Sequence, residues 1–425
     1  MDTIERLKQR EELLWLNPHL QAVEPREKIN GYGFVYMKAA QNRFMRFLPY
    51  IASVFPETAA KKGIIESDLL PLAAMKDWIN SRGAGIQGKV FLKDDARLPI
   101  AGSVKARGGI HEVMKIAEML AQEKKHFLPT ENYVKLDTPE FRELFSSYKI
   151  QVGSTGNLGI SIGRMAARMG FQAIVHMSSD AKEWKKELLR REGVIIKEYD
   201  GDYSHAVAVG RQESAREENS FFVDDENSRD LFFGYSTAAM RVSVQLRKKG
   251  IPVDGDHPLF LYLPCGVGGA PGGITFGFKQ MFGNHVHCFF AEPVEAPCFT
   301  LGMASRKKEK ISVSAIGLSG KTVADGLAVG RPSAFVCEMM EPLVSGSFTV
   351  SDEHLIEYQR ALLETEDIFL EPSASAGFRG LLDVGRPDSG WAEYIKARGL
   401  EKSMGRTTHI VWGTGGGLMP RDESC

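Results

Sequence analysis

The chain predicts an α/β fold with two domains, each a mostly parallel sheet flanked by helices. Three observations carry this expectation. Short apolar runs alternate with helical segments from Tyr148 to Asp225, and a second such series starts at Leu259. Glycine clusters fall at strand-to-helix junctions in both series. Strands separated by helices of this length imply right-handed crossovers, and those make neighbouring strands parallel.

In chain order, the segment after Lys105 comes first. Ile110, Val113, Met114, Ala117, Leu120 and Ala121 recur at spacings of three and four, which predicts an amphipathic helix ending at "EKKH". "LPTENYVKLDTPEFRELF" reads as a connection. The first series then runs strand "YKIQV", loop "GSTGNLG", helix "ISIGRMAARMG", strand "FQAIVHM", helix "AKEWKKELLRREG", strand "VIIKEYD", helix "HAVAVGRQESAREE" and strand "FFVDD". The second runs strand "LFLYLP", loop "CGVGGAPGG", a helix and strand "VHCFFAEP", with "HIVWGTGGG" as a last strand entering glycines. The expected division is a larger domain from 1–123 with 241–425, and a smaller one from 124–240.

Composition narrows the class. The chain has 425 residues, 43% hydrophobic and 25% charged, as in an ordinary globular enzyme. A net charge of −1 argues against a nucleic-acid footprint or a polybasic membrane surface. "MDTIERLKQREELLWLNPHL" is charged throughout, without the apolar core of a signal peptide, so the expected location is the cytoplasm. Leu259 to Phe278 is uncharged, but six glycines, Pro264 and Pro271 make it a buried strand and loop, not a membrane span. The five cysteines are scattered without C-x-x-C spacing, which suits reduced thiols and gives no zinc signature. His285 and His287 show no metal spacing, and His409 reads as a core residue.

The chemistry starts at "PIAGSVKARGG", Pro99 to Gly109. Lys105 stands at a helix start, where the partial positive charge gives an ammonium nothing, and Arg107 adds a second cation nearby. Either Lys105 is simply solvated, or its chemistry uses the neutral or covalently modified amine. Both glycine loops lie where open parallel sheets bind ligands, at the carboxyl end of a strand and before a helix. "CGVGGAPGG" lacks the lysine of a P-loop and the dinucleotide fingerprint, yet its glycines can turn several amides towards one phosphate; a tight turn is the alternative. "GSTGNLG" adds Ser154, Thr155 and Asn157, a set suited to a small carboxylate or a ring hydroxyl, though also a generic set of helix caps.

Two rival classes exist. A nicotinamide oxidoreductase would use "GSTGNLG" with Asp180 on the ribose, but the spacing is G-x-x-G-x-x-G and Lys105 stays unexplained. A non-catalytic amino-acid-binding protein would keep the loop and have no use for the lysine.

"GSVKARGGI", "GSTGNLGISIG", "LPCGVGGAPGG", "DGLAVGRPS" and "VWGTGGG", in this order from about residue 80 to 420, resemble the bacterial D-serine dehydratase (D-serine ammonia-lyase) family of fold-type-II pyridoxal-phosphate enzymes, whose fold is like the tryptophan synthase β chain. The resemblance implies that Lys105 forms a Schiff base with pyridoxal 5'-phosphate and that Asn157 bonds the ring hydroxyl. It implies that the amides of Gly266, Val267, Gly268, Gly269 and Ala270 hold the phosphate, with alanine at 270 where the family tends to have glycine. Thr414 would face the pyridine nitrogen and leave the ring largely neutral, a weaker electron sink that suits elimination. Ser154, Thr155 and Gly156 would take the substrate carboxylate. A D-substrate so anchored turns its Cα proton away from Lys105, which makes Thr155 the candidate for removing it, through water.

"AEPVEAPC" resembles a cation-binding segment, with the Glu292 carboxylate and the Ala296 carbonyl as ligands for potassium or another monovalent ion; a plain strand end is the alternative. The implied reaction is β-elimination from D-serine, with D-threonine as a further substrate, giving pyruvate and ammonia through an external aldimine and aminoacrylate. The same scaffold also serves L-serine/L-threonine dehydratases and serine racemases. A monomer is expected, with no nucleic-acid or membrane partner and the cofactor in a cleft between the domains.

Overall fold

The computed structural model describes residues 2–154, 156–179, 181–200 and 203–420. They form two compact units. One comprises Met1–Val35, Ser67–Arg97 and Ser236–Met419, the other Tyr36–Glu66 with Leu98–Tyr235.

The larger unit holds a seven-stranded sheet. In spatial order its strands are Leu14–Leu16, Gly346–Val350, Val286–Pro293, Leu259–Pro264, Thr408–Gly413, Lys89–Asp94 and Leu69–Pro71. The five central strands are parallel, and the three-residue strands at the two edges are antiparallel to their neighbours. Leu259–Pro264 and Val286–Pro293 are buried at every position, as strands covered on both faces must be. On one face of the sheet an aromatic cluster anchors the core. Trp391 packs on Phe289 with ring centroids 4.3 Å apart, and Tyr394 and Phe260 extend it.

The strand Lys89–Asp94 has no alternation to announce it, because "KVFLKD" carries charges into the interior. Fully buried Lys93 donates to the carbonyl and hydroxyl of Ser67 at 2.5 and 2.6 Å. Asp95 accepts from Ser67 at 2.6 Å and from the Trp412 indole at 2.8 Å. Buried charges persist when each finds such partners.

The smaller unit holds four parallel strands in the order Ile195–Tyr199, Gln172–Ser178, Lys149–Gly153, Ser220–Val223. The division differs from the expected one in where the Lys105 helix belongs. Lys105–Lys125 groups with the four-stranded sheet, as do residues 36–66. The reason is close packing through glycine. A Cβ on Gly108 would lie 2.5 Å from the Tyr235 ring, and one on Gly109 would lie 2.5 Å from the Ser161 hydroxyl. Ser161 donates to the Lys105 carbonyl at 2.8 Å, and Arg43 pairs with Glu118 at 2.9 Å. So the two glycines after "SVKAR" fix a helix contact and leave phosphate binding to other loops. No helix among the described residues is long and apolar enough to cross a membrane.

Candidate active site

In the smaller unit Lys105 is the first residue of its helix. Its Nζ donates to Asp225 Oδ2 at 3.1 Å and sits 5.9 Å from the centroid of the Tyr235 ring. Arg107 is not a second free cation beside it. That side chain is 3% exposed and forked onto Glu66 at 2.6 and 3.3 Å. A carboxylate, not a neighbouring cation, therefore faces the lysine.

Among the described residues, the buried Asp225 Oδ1, Tyr235 hydroxyl and Ser103 Oγ lack a hydrogen-bond partner. Leaving such a group unpaired costs about 1–3 kcal/mol, so Asp225 and Tyr235, both beside the Lys105 amine, mark a place shaped to receive something. Burial pushes Tyr235 well above the ordinary phenol range, so it keeps its proton. Glu112, on the same helix face as Lys105, is pushed up to about 8 by burial and accepts from the Ser228 hydroxyl at 2.5 Å.

The topology makes the strand that leads into Ser154 a neighbour of the strand that leads into Asp225. From Lys149–Gly153 the chain proceeds outward through two strands, then returns to place Ser220–Val223 on the other side of the first. The switch point lies between those two strands, and ligands of open parallel sheets bind at their carboxyl ends there. Val152 pairs with Val223, and Ser154 and Asp225 each follow two residues later in their chains. Ser154 Oγ accepts from the amides of Gly156 and Gly159 at 3.1 and 3.0 Å, which caps the helix Asn157–Met169 and leaves only its proton to offer a ligand. A Cβ on Gly156 would lie 3.3 Å from the Nζ of buried Lys185, so an ammonium lies against this loop. Thr155 and Asp180 lie outside the described residues.

In the larger unit the loop Cys265–Gly268 follows Leu259–Pro264 and opens the helix Gly269–Phe282. Gly268 has φ +106°, and a Cβ there would lie 2.9 Å from Val336 Cγ1. Among the described residues no group accepts from the amides of Gly266, Val267, Gly268, Gly269 or Ala270, although all five residues are buried. Buried amides without acceptors at a helix start form a cradle for an anion. Thr414 follows the adjacent strand Thr408–Gly413, whose Val411 pairs with Tyr262 of the strand that leads into this loop.

Glu292 and Ala296 stand at the end of Val286–Pro293 with their oxygens already engaged. Glu292 accepts from Phe299 N at 2.7 Å, Thr300 N at 2.9 Å and the Thr300 hydroxyl at 2.5 Å, while the Ala296 carbonyl accepts from Cys298 N at 2.9 Å. His409 is a buried core residue bonded to the Tyr262 hydroxyl at 2.9 Å, and no group of three or more potential metal ligands occurs among the described residues.

The larger unit's buried amides at a helix start suit the phosphate of pyridoxal phosphate, and the smaller unit's Lys105 amine suits its aldehyde. Residues 67–390 match the model of the pyridoxal-phosphate dependent enzyme family, and the chain belongs to that family. More particularly, it is 50% identical to the probable D-serine dehydratase of Bacillus cereus strain B4264 over 97% of this chain and 92% of that one. The probable D-serine dehydratase of Bacillus mycoides strain KBAB4 is likewise 50% identical over the same shares. Among solved structures, diaminopropionate ammonia lyase from Escherichia coli in complex with D-serine superposes with a TM-score of 0.72 at 18% identity, covering 96% of this chain and 95% of that one. Serine racemase from Dictyostelium discoideum gives 0.62 at 16%, covering 89% and 97%. These two likenesses concern the fold. Asp225 and Tyr235 are functional candidates that motif reading passes over; the signal was the acidic pair directly after "FFV".

Proposed function

We propose that the protein is a D-serine dehydratase, converting D-serine to pyruvate and ammonia. The observation that carries this is the Lys105 amine, set at a helix start against a carboxylate and beside buried polar atoms that lack partners among the described residues. Relatives of that name, half identical over nearly the whole chain, support the substrate.

When bound, pyridoxal phosphate supplies an aldehyde that captures an amine and a ring that accepts electron density. The amides of Gly266, Val267, Gly268, Gly269 and Ala270 hold the phosphate, with Ala270 adding only a methyl. Asn157 bonds the ring hydroxyl. Thr414, a neutral hydroxyl, faces the ring nitrogen without forcing it to protonate. Gly156 and the hydroxyls of Ser154 and Thr155 take the substrate carboxylate, with the buried Lys185 ammonium behind the loop adding positive potential. Lys105 would provide the amine that holds the cofactor's aldehyde, and a base or acid on its own side of the substrate. Thr155, through water, removes the Cα proton on the other side. The working division gives the phosphate and the ring nitrogen to the larger unit, and Lys105, the ring hydroxyl and the substrate to the smaller. We read the protein as a cytoplasmic monomer; Cys265, Cys288, Cys298 and Cys337 are buried thiols, which suits a reducing compartment.

The test is the absorption spectrum of the purified protein, followed by D- and L-serine added separately while pyruvate is measured. A visible cofactor band and faster pyruvate from D-serine are expected. Preference for L-serine moves the protein to the L-serine/L-threonine dehydratases, and interconversion without pyruvate moves it to the racemases. A colourless protein that binds a nicotinamide nucleotide overturns the reading.

A further inference from the structure

The larger unit carries a cleft at the end of its sheet opposite the glycine cradle. Its volume is about 440 Å³, in the usual range for small-ligand sites, and Leu16, Ser345, Glu393, Tyr394, Ala397 and Arg398 line it. Leu16 ends an edge strand, and Ser345 stands just before the amino end of Gly346–Val350. The cradle follows the carboxyl end of Leu259–Pro264, a parallel strand two places further into the sheet. A strand's length, about 17–20 Å for five or six residues, separates the two.

The charges in this cleft are unpaired. Nearby arginines all find carboxylates: Arg379 and Arg386 pair with Asp383 at 3.0 and 3.2 Å, and Arg406 pairs with Asp256 at 3.1 Å. Arg398 makes no ion pair among the described residues, and its guanidinium stands 5.7 Å from the centroid of the Tyr394 ring. Exposed Glu393 makes none among them either.

The floor beneath is buried and ordered. The Tyr394 hydroxyl donates to Ser345 Oγ at 2.9 Å, and the Cys288 amide donates to the same oxygen at 3.2 Å. Burial, with Lys279 and Arg398 nearby, holds His287 well below its ordinary range, so its ring is neutral. With the Tyr394 proton already placed, His287 Nδ1 donates to the Tyr394 oxygen at 2.7 Å. Both lone pairs of the Ser345 hydroxyl are therefore taken, and its own proton has no acceptor among the described residues. A buried hydroxyl with only a proton left to give suits a carboxylate oxygen.

Glu393 and Arg398 lie five positions apart at the end of the helix Gly390–Ala397, about 7.5 Å along its axis. An ammonium and a carboxylate on one carbon bridge such a span once two hydrogen-bond lengths are added. We propose that this cleft binds a free α-amino acid with an apolar side chain. Arg398 and the Ser345 hydroxyl take its carboxylate, Glu393 its ammonium, and Leu16, Ala397 and the Tyr394 ring its side chain. Bound there, it leaves the cradle open, so it does not compete with substrate.

The test is calorimetry on the cofactor-loaded enzyme with three probes. They are L-leucine, 4-methylpentanoate, which lacks the ammonium, and L-leucinamide, which lacks the carboxylate. The cofactor absorption band is recorded along each titration. L-Leucine should bind one to one, tighter than either analogue, with the band unchanged. Arg398→Gln should weaken L-leucine and 4-methylpentanoate about tenfold and leave L-leucinamide within about twofold. Glu393→Gln should weaken L-leucine and L-leucinamide about tenfold and spare 4-methylpentanoate. Neither variant should change KM or kcat for D-serine. L-Leucine that shifts the band, binds equally to all three proteins or does not bind overturns the assignment. Sulfate bound as tightly as L-leucine, and lost in Arg398→Gln, overturns the amino-acid class. Each of these failures leaves the dehydratase reading intact, because that reading is judged by pyruvate from D-serine.

Discussion

The two units offer chemistry of different kinds. The seven-stranded unit presents main chain: five buried amides at Gly266–Ala270 without acceptors among the described residues, and one hydroxyl at Thr414 after the adjacent strand. The four-stranded unit presents side chains: Lys105 on Asp225, the Tyr235 hydroxyl, Ser154 capping its own loop. A main-chain cradle is rigid and indifferent to titration, which suits a cofactor kept through many turnovers. Side chains can exchange partners, which suits amines that arrive and leave. Substitutions in one unit should therefore change cofactor retention, and those in the other should change substrate handling.

The largest effect tests that contrast at its sharpest point. Lys105→Ala should lower pyruvate formation at least about a thousandfold and abolish the lysine-dependent absorption band. The same variant should still bind cofactor through the glycine loop, seen by equilibrium dialysis. A band that survives would remove Lys105 from the chemistry. Next comes Thr155→Val, expected to depress D-serine turnover about a hundredfold while any L-serine turnover falls far less, with the cofactor band intact. Deuterium at Cα of each enantiomer is the check, and equal losses would reduce Thr155 to a carboxylate anchor. Smaller again is Gly268→Ala. Its φ of +106° and the 2.9 Å approach to Val336 Cγ1 force the loop to shift, so cofactor affinity should drop about tenfold with little change in KM for D-serine. Gly156→Ala, meeting only the end of flexible Lys185, should do the reverse. An exchange of these two outcomes would break the contrast.

Legibility in the sequence followed the same line. Glycine spacing writes a main-chain cradle directly, and apolar runs write buried strands, so "CGVGGAPGG" and Val286–Pro293 fall where their residues indicate. The strand Lys89–Asp94 was hidden because Lys93 and Asp95 bury their charges against Ser67 and Trp412, partners distant in sequence. Asp225 was hidden for a related reason: its partner lies 120 residues away, and "VDD" alone reads as a solvated strand end. The pairing of the Lys105 helix with the small sheet depends on Gly108 meeting Tyr235, a contact no local pattern announces.

The smallest effect concerns Glu292 and should leave turnover nearly untouched. Burial pushes this carboxyl up to about 7, against bonds from Thr300 and Phe299 that favour its ionised form. The folded protein therefore holds a proton that the unfolded chain releases at lower pH. Its contribution to stability is present in full below the ordinary glutamate range and is lost as pH rises through about 7, by roughly 3 kcal/mol in total. Buried neutral histidines act in the opposite sense. His111 and His409, both lowered to about 3 by burial, add stability as pH rises from that value towards 6.5. The raw pH profile mixes these slopes, so the informative quantity is the difference between wild type and Glu292→Gln in urea midpoints from pH 5 to 8. Glutamine loses an acceptor at every pH and cannot titrate, so the wild-type advantage should be largest near pH 5 and narrow towards pH 8. Potassium decides what else Glu292 does. A monovalent ion on Glu292 and Ala296 would hold the carboxylate ionised, restore the advantage at pH 8 and accelerate turnover relative to lithium. A narrowing that is the same in both salts leaves Glu292 as the carboxylate that caps the turn at Phe299 and Thr300, with its two oxygens already occupied.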